Sequence, residues 1–347
     1  MIGSNVERQM TQAAFRRHRR EALLLAVAAL IALVAAVRPA RATFKVALIC
    51  SGSFTDGGWN QQGRAAIVRV GRQLHLHVSA VEHVSPVRAV NVMRDYLMEH
   101  YNLVIGHGYE FLMPAAEIAA EGGSTKFAVC GADQARPHIA TLAFDLAGPS
   151  YQLGVLAALL TKSGKLGFIG GQAIPSVVAC YRGFVAGARS INPRITVAQA
   201  YTSWDQPALS RSQAEAFIQQ GIDVIYQNVD AASRGVFEAV RRADESRAGQ
   251  QSPVYVFGSN RNQNNNTTCG AFTPASAVIH MGLAFRRLVR AVQRGNFKPG
   301  VVPENMADGV CVAVLNPRLE GTVITAAMQR AVAHAAERLR NGKIRLR

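Results

Sequence analysis

From residue 44 onward the chain alternates short, continuously apolar runs with longer stretches whose apolar positions recur every three or four residues. The first pattern suits a strand buried on both faces, the second a helix packed along one face. Residues 44–50 (FKVALIC) read as a strand, 60–74 as a helix and 77–81 as a short strand. Residues 87–99 are helical, with Val90, Met93 and Leu97 on one face. A strand at 103–106, a helix at 111–120 and strands at 127–130 and 139–144 complete a first series. The pattern then restarts. Helices at 151–160, 177–190, 210–219 and 234–242 alternate with strands at 165–169, 196–200, 224–227 and 254–258. Residues 276–293 read as one long amphipathic helix and 311–315 as a strand. Residues 322–339 close the chain as a helix with basic residues near its end, where the helix dipole favours them. Such alternation predicts mostly parallel sheets with helices on both faces. Two series in tandem predict two α/β lobes with a cleft between them.

The first 42 residues follow another pattern. Arg16, Arg17, Arg19 and Arg20 precede an uncharged apolar run at 22–37, and Ala40-Arg41-Ala42 follows it. A basic region, an apolar region and an A-x-A site form a secretory signal, here expected to span 1–42 with cleavage after Ala42. The apolar run is 16 residues long, against the roughly 20 that a membrane span needs. The remainder is therefore expected in the periplasm.

Charge changes this picture little. The whole chain carries +16, and seven Arg and two Glu fall within 1–42, so about +11 remains beyond it. The basic residues are scattered and aromatics are few. That pattern reads as a solvated surface, not a nucleic-acid groove. Cys50, Cys130, Cys180, Cys269 and Cys311 are odd in number and lack metal-ligand spacing. They read as buried free thiols, with one disulfide left open.

Ligands of open α/β sheets sit beyond the carboxyl ends of the strands. The first such end, 51–60 (SGSFTDGGWN), offers Phe54, Asp56, Trp59 and Asn60. Asp56 and Asn60 can hydrogen-bond a sugar or base, and Trp59 offers a flat apolar face. Asn60 could equally cap the following helix, and Asp56-Gly57 could be an ordinary turn. Later strand ends offer His107 and Tyr109 (in GHGYEF), Asp133 (in GADQ), Gln172 (in GGQAIP), Asn228 (in NVD) and Asn260 (in SNR). These are polar side chains without a reactive set. The chain has no G-x-S-x-G elbow, no phosphate loop and no dinucleotide fingerprint, and its nine His show no metal spacing. No catalytic residue, metal or cofactor is assigned.

Five segments in order resemble the basic membrane protein (PnrA-like) family of ABC transporter solute-binding proteins. They are 45–67 (KVALICSGSFTDGGWNQQGRAAI), 103–113 (LVIGHGYEFLM), 127–133 (FAVCGAD), the stretch from 150 to Arg189 with its G-K-L-G-F strand and G-F-x-x-G-A helix, and 221–227 (GIDVIYQ). The resemblance implies a bilobed type I periplasmic-binding fold: two doubly wound, mostly parallel sheets joined by a hinge of several crossings. It implies lobe 1 at 43–147 plus about 270–300, and lobe 2 at 148–269 plus about 301–347. It further implies a nucleoside or purine-like ligand in the cleft, with Asp56 and Asn60 as polar contacts and Trp59 standing where the family has Phe. The chain departs from the family in two places. Asp56-Gly57-Gly58-Trp59-Asn60 replaces Asp-Lys-Ser-Phe-Asn, and Ser259-Asn260-Arg261-Asn262-Gln263 lacks the acidic residue expected for ribose.

The expected protein is a monomeric receptor that delivers a small molecule to an ABC permease, without catalysis or nucleic acid. A sensory receptor for a membrane signalling protein is an alternative. A nucleoside hydrolase is another, but it needs clustered Asp near the first strand, where Asp56 stands alone. A sugar-repressor-type regulator would need a helix-turn-helix before residue 44, where the signal pattern lies.

Overall fold

The computed structural model describes residues 22–23, 43–246 and 253–346. The expected signal segment, 1–42, lies almost wholly outside the described residues. Residues Phe44–Arg347 form one compact unit. Among the described residues no helix is long and apolar enough to cross a membrane.

The first sheet contains β1 (Lys45–Cys50), β2 (His77–Val81), β3 (Leu103–His107), β4 (Lys126–Cys130) and β5 (Ile139–Phe144). They run in the order β5-β4-β3-β1-β2, with every neighbouring pair parallel. β1 is apolar at every position after Lys45 because both its faces are covered. Val46 and Leu48 pack under α1 (Trp59–Leu74) through Ala66, Ile67 and Val70. Ala47 and Ile49 face the other way, against α2 (Pro86–Met98) and α3 (Leu112–Ala120) through Met93, Ala115 and Ile118.

The second lobe repeats the plan. Its strands are β6 (Lys165–Gly170), β7 (Thr196–Tyr201), β8 (Val224–Asn228), β9 (Tyr255–Asn260) and β10 (Ala275–Ile279), in the order β10-β9-β8-β6-β7. α4 (Ala147–Leu160) and α5 (Pro175–Ile191) cover one face, and α6 (Pro207–Gln219) with α7 (Ser233–Ser246) the other. α8 (Met281–Gln293) returns to the first lobe and packs on α1. β11 (Gly300–Glu304) then joins the first sheet beside β5, and β12 (Cys311–Leu315) joins the second, antiparallel to β10. α9 (Ala326–Arg340) packs on α4. The strands thus change sheet after Phe144, after Ile279 and after Glu304, whereas the family resemblance implies the later changes near 270 and 300. The crossings hold one another: Asp145 N donates to Glu304 O at 2.9 Å and His280 N to Val310 O at 2.6 Å.

Three expectations are corrected. Residues 276–293 are not one helix. Ala275–Ile279 is buried throughout and hydrogen-bonds to strands on both sides, and α8 begins only at Met281. A short apolar run is compatible with either element, and here the open sheet edge decided it. β11 escaped the reading because its Val301 and Val302 are exposed and Pro303 interrupts it, as an edge strand tolerates. The last helix starts at Ala326, not 322, because Thr325 caps it by accepting from Met328 N. All five cysteines are free and buried.

Candidate functional site

At the carboxyl end of β1 the chain must turn sharply into α1. Asp56 organises that turn. Its Oδ1 accepts from Gly58 N (2.8 Å) and Gln61 N (3.0 Å), and its Oδ2 from Asn60 N and Asn60 Nδ2, both at 2.9 Å. The carboxylate thereby satisfies orphan amides at the start of the helix. Asn60 lies inside α1 rather than capping it, and its Oδ1 is buried without a partner.

Trp59 leads α1, and its indole is fixed from below. The ring stacks on His107 at 4.2 Å between centroids and 8° between planes, and Nε1 donates to His107 O at 3.2 Å. Phe144 meets it edge-on at 5.9 Å. His107 is fully buried at the end of β3, and its Nε2 donates to Trp59 O at 2.9 Å. Burial lowers its pKa to about 4 against the opposing effects of that bond and of Asp56, so the imidazole is neutral at neutral pH.

The second lobe supplies the facing wall. Asn228 and Asp230 follow β8, and Asn260 ends β9. Asn260 Nδ2 donates to Asn228 Oδ1 at 3.3 Å and to Asp230 Oδ1 at 3.1 Å. Asp230 has a left-handed backbone (φ 43°), which Asp tolerates better than most residues. Its pKa rises to about 7, first through burial and then through the charge of Asp56.

These walls meet. Trp59 N donates to Asp230 Oδ1 across the cleft at 3.1 Å. Gln62 Nε2 donates to Asn260 O at 2.8 Å and also to Ile279 O. Arg234 Nη2 donates to Thr55 O at 2.7 Å, and Arg261 Nη1 to Gln61 Oε1 at 3.0 Å. The lobes are therefore closed on each other, and between them lies a cavity of about 460 Å³.

Of the residues singled out from the sequence, Asp56, Trp59, Asn60, Tyr109, Gln172, Asn228 and Asn260 line this cavity. Phe54, His107 and Asp133 are placed elsewhere. The Phe54 ring lies under the Arg64 guanidinium at 5.1 Å, His107 sits beneath Trp59, and Asp133 is exposed to solvent. The cavity also takes Trp204, Asp230, Glu110 and Asp205, none of them among the expected contacts. Trp204 follows β7 and packs over Gly171, whose missing side chain leaves room for the indole. The strand-end rule reaches Trp204 as readily as Trp59, so that signal was available in the sequence. Among the described residues no group of His, Cys, Asp and Glu is placed to hold a metal ion.

Residues 43–284 match the family model of the PnrA-like ABC transporter substrate-binding proteins. The chain belongs to this family. It is 27% identical to the ABC transporter nucleoside-binding protein BmpA of Lactococcus lactis over 60% of this chain and 62% of that protein. It is 25% identical to a putative ABC transporter glucose-binding protein of Haloferax volcanii over 62% of this chain and 55% of that one. The chain thus spans less than two thirds of the length of either relative. Among solved structures, a solute-binding protein of an ABC transporter system from Aeropyrum pernix superposes with a TM-score of 0.77 over 87% of this chain and 92% of that one, at 18% identity. That likeness shows a shared fold of two α/β lobes, as the motifs implied.

Proposed function

We propose that this protein is the extracytoplasmic receptor of an ABC importer, and that its interlobe cavity binds a nucleoside or purine-like molecule. The observation that carries the reading is the pair of indoles, Trp59 from one lobe and Trp204 from the other, on the walls of one interlobe cavity. Two flat apolar faces suit a planar ring, and the amides of Gln172, Asn228 and Asn60 suit its polar edges. Asp56 shapes the turn that presents Trp59 and Asn60. Asp230 supplies an acidic acceptor at the end of β8, where residues 259–263 supply none. The nucleoside-binding relative supports this ligand class, and the glucose-binding relative makes a hexose the competing reading. The closed lobes would dock on a permease in the membrane, and no step in the cycle is catalytic.

Thermal unfolding against nucleosides, bases, hexoses and amino acids tests the proposal. A ligand at about 100 times its Kd adds about 2.7 kcal/mol to stability, a shift of several degrees. A nucleoside that raises the midpoint and is recovered unchanged supports the reading. A shift with hexoses alone replaces the ligand class, and consumption of the nucleoside makes the protein an enzyme.

A further inference from the structure

The cavity is charged against the grain of the protein. The chain carries +16 overall, yet Asp56, Glu110, Asp205 and Asp230 line the cavity. Among the described residues that line it there is no lysine or arginine, and His83 is the one basic side chain. Two of the carboxylates converge as the lobes close. Asp56 Oδ1 accepts from Gly58 N and Asp230 Oδ1 from Trp59 N, so carboxylates from opposite lobes sit on consecutive amides of one turn. Asp56 is satisfied by four donors within its own turn, whereas Asp230 has two, Trp59 N and Asn260 Nδ2. Closure therefore brings like charges together out of water, while the two arginines that bond across the cleft, Arg234 and Arg261, are engaged with Thr55 O and Gln61 Oε1 and not with either carboxylate. Among the described residues at the cavity wall, the one buried polar atom left unpartnered, Asn60 Oδ1, is also an acceptor. Aromatic faces, carboxylates and unfilled acceptors together are what a flat organic cation requires. A neutral hydroxyl can fill an acceptor, but it leaves the charge unbalanced.

We propose that the cavity selects a positively charged planar ligand, an N-methylated or otherwise cationic purine nucleoside rather than its neutral parent, and that Asp230 is the residue that reads the charge. This rests on the nucleoside reading and narrows it. Anionic nucleotides are excluded by the same carboxylates.

Isothermal titration of the purified protein at pH 7, where both methylated nucleosides are still substantially cationic, tests this with matched pairs. Adenosine is compared with 1-methyladenosine, guanosine with 7-methylguanosine, and adenosine 5′-monophosphate and glucose are included. The expected result is at least tenfold tighter binding of the methylated member of a pair. In Asp230→Asn, which keeps an oxygen acceptor for Trp59 N and Asn260 Nδ2, the ratio of the two affinities within a pair should fall toward one. Equal or tighter binding of the neutral members overturns the charge selection and leaves the nucleoside reading standing. So does an unchanged preference in Asp230→Asn, as regards the role of that residue. Binding of glucose with no response to any nucleoside overturns both.

Discussion

Single residues at the cleft divide into those that face the cavity and those that hold them there. Trp59 is held by three contacts: the stacked His107, the bond to His107 O and the edge of Phe144. An indole so placed loses little entropy when a ring stacks on it. Truncating Trp59 or Trp204 to Ala should each weaken binding by about 1–3 kcal/mol, roughly 5- to 150-fold in Kd, as read by titration calorimetry. Asp230 gives a second prediction at this scale. Burial and Asp56 raise its pKa to about 7 from 3.8, so the folded protein holds a proton there that the unfolded chain has released. The protonated form's contribution to stability is complete below the unfolded value and is lost as pH rises through about 7. Ligand-free Asp230→Asn, neutral throughout, should therefore melt above the wild type at pH 8, with the gap closing toward pH 4. A pH-independent gap between the two would show that the carboxylate is not strained by its surroundings.

At the scale of elements, glycine sets how closely helices approach. α4 and α5 pack backbone to backbone: a Cβ on Gly187 would stand 1.9 Å from Tyr151 O, and one on Gly154 2.1 Å from Phe184 O. Gly187→Ala must push the two helices apart and should cost about 1–3 kcal/mol or more in urea unfolding. Gly282 in α8 has nothing within 4 Å of its would-be Cβ, so Gly282→Ala should stabilise by about 0.5–1 kcal/mol through helix propensity. If both substitutions behave alike, close helix packing is not what the first glycine serves. The small residues of 150–160 and the G-F-x-x-G-A segment were visible as a motif. That Gly154 faces α5 while Gly187 faces α4 was not, because helix pairing is a property of the folded lobe.

Across the whole molecule, the bonds that close the cleft are few and polar. Gln62 alone reaches two carbonyls of the other lobe, Asn260 O and Ile279 O. Interfaces of this kind favour a hinge that opens when the cavity is empty. Solution X-ray scattering should show a smaller radius of gyration with ligand than without. Gln62→Ala should keep the fold and bind about tenfold more weakly, because closure then loses both of these bonds across the cleft. An identical radius in the two states would rule out hinge closure as the binding motion.

Much of the fold was legible in the chain because buried parallel strands and one-sided helices impose different periods on apolar residues. β1, β3, β6 and β12 could be found from those periods alone, as could the restart at the second lobe. The segment 275–279 could not, since a short apolar run becomes a strand only when a sheet edge is there to receive it. The strand-end rule led from the sequence to Trp59, Asn60, Asn228 and Asn260. It could not tell Asp56, satisfied within its own turn, from Asp230, whose charge matters because the other lobe brings Asp56 toward it. Nor could it show His107 turned under an indole instead of toward the cleft. Local pattern determines which elements form. The closing of two lobes, far apart in sequence, decides which side chains share a cavity and how their charges act on one another.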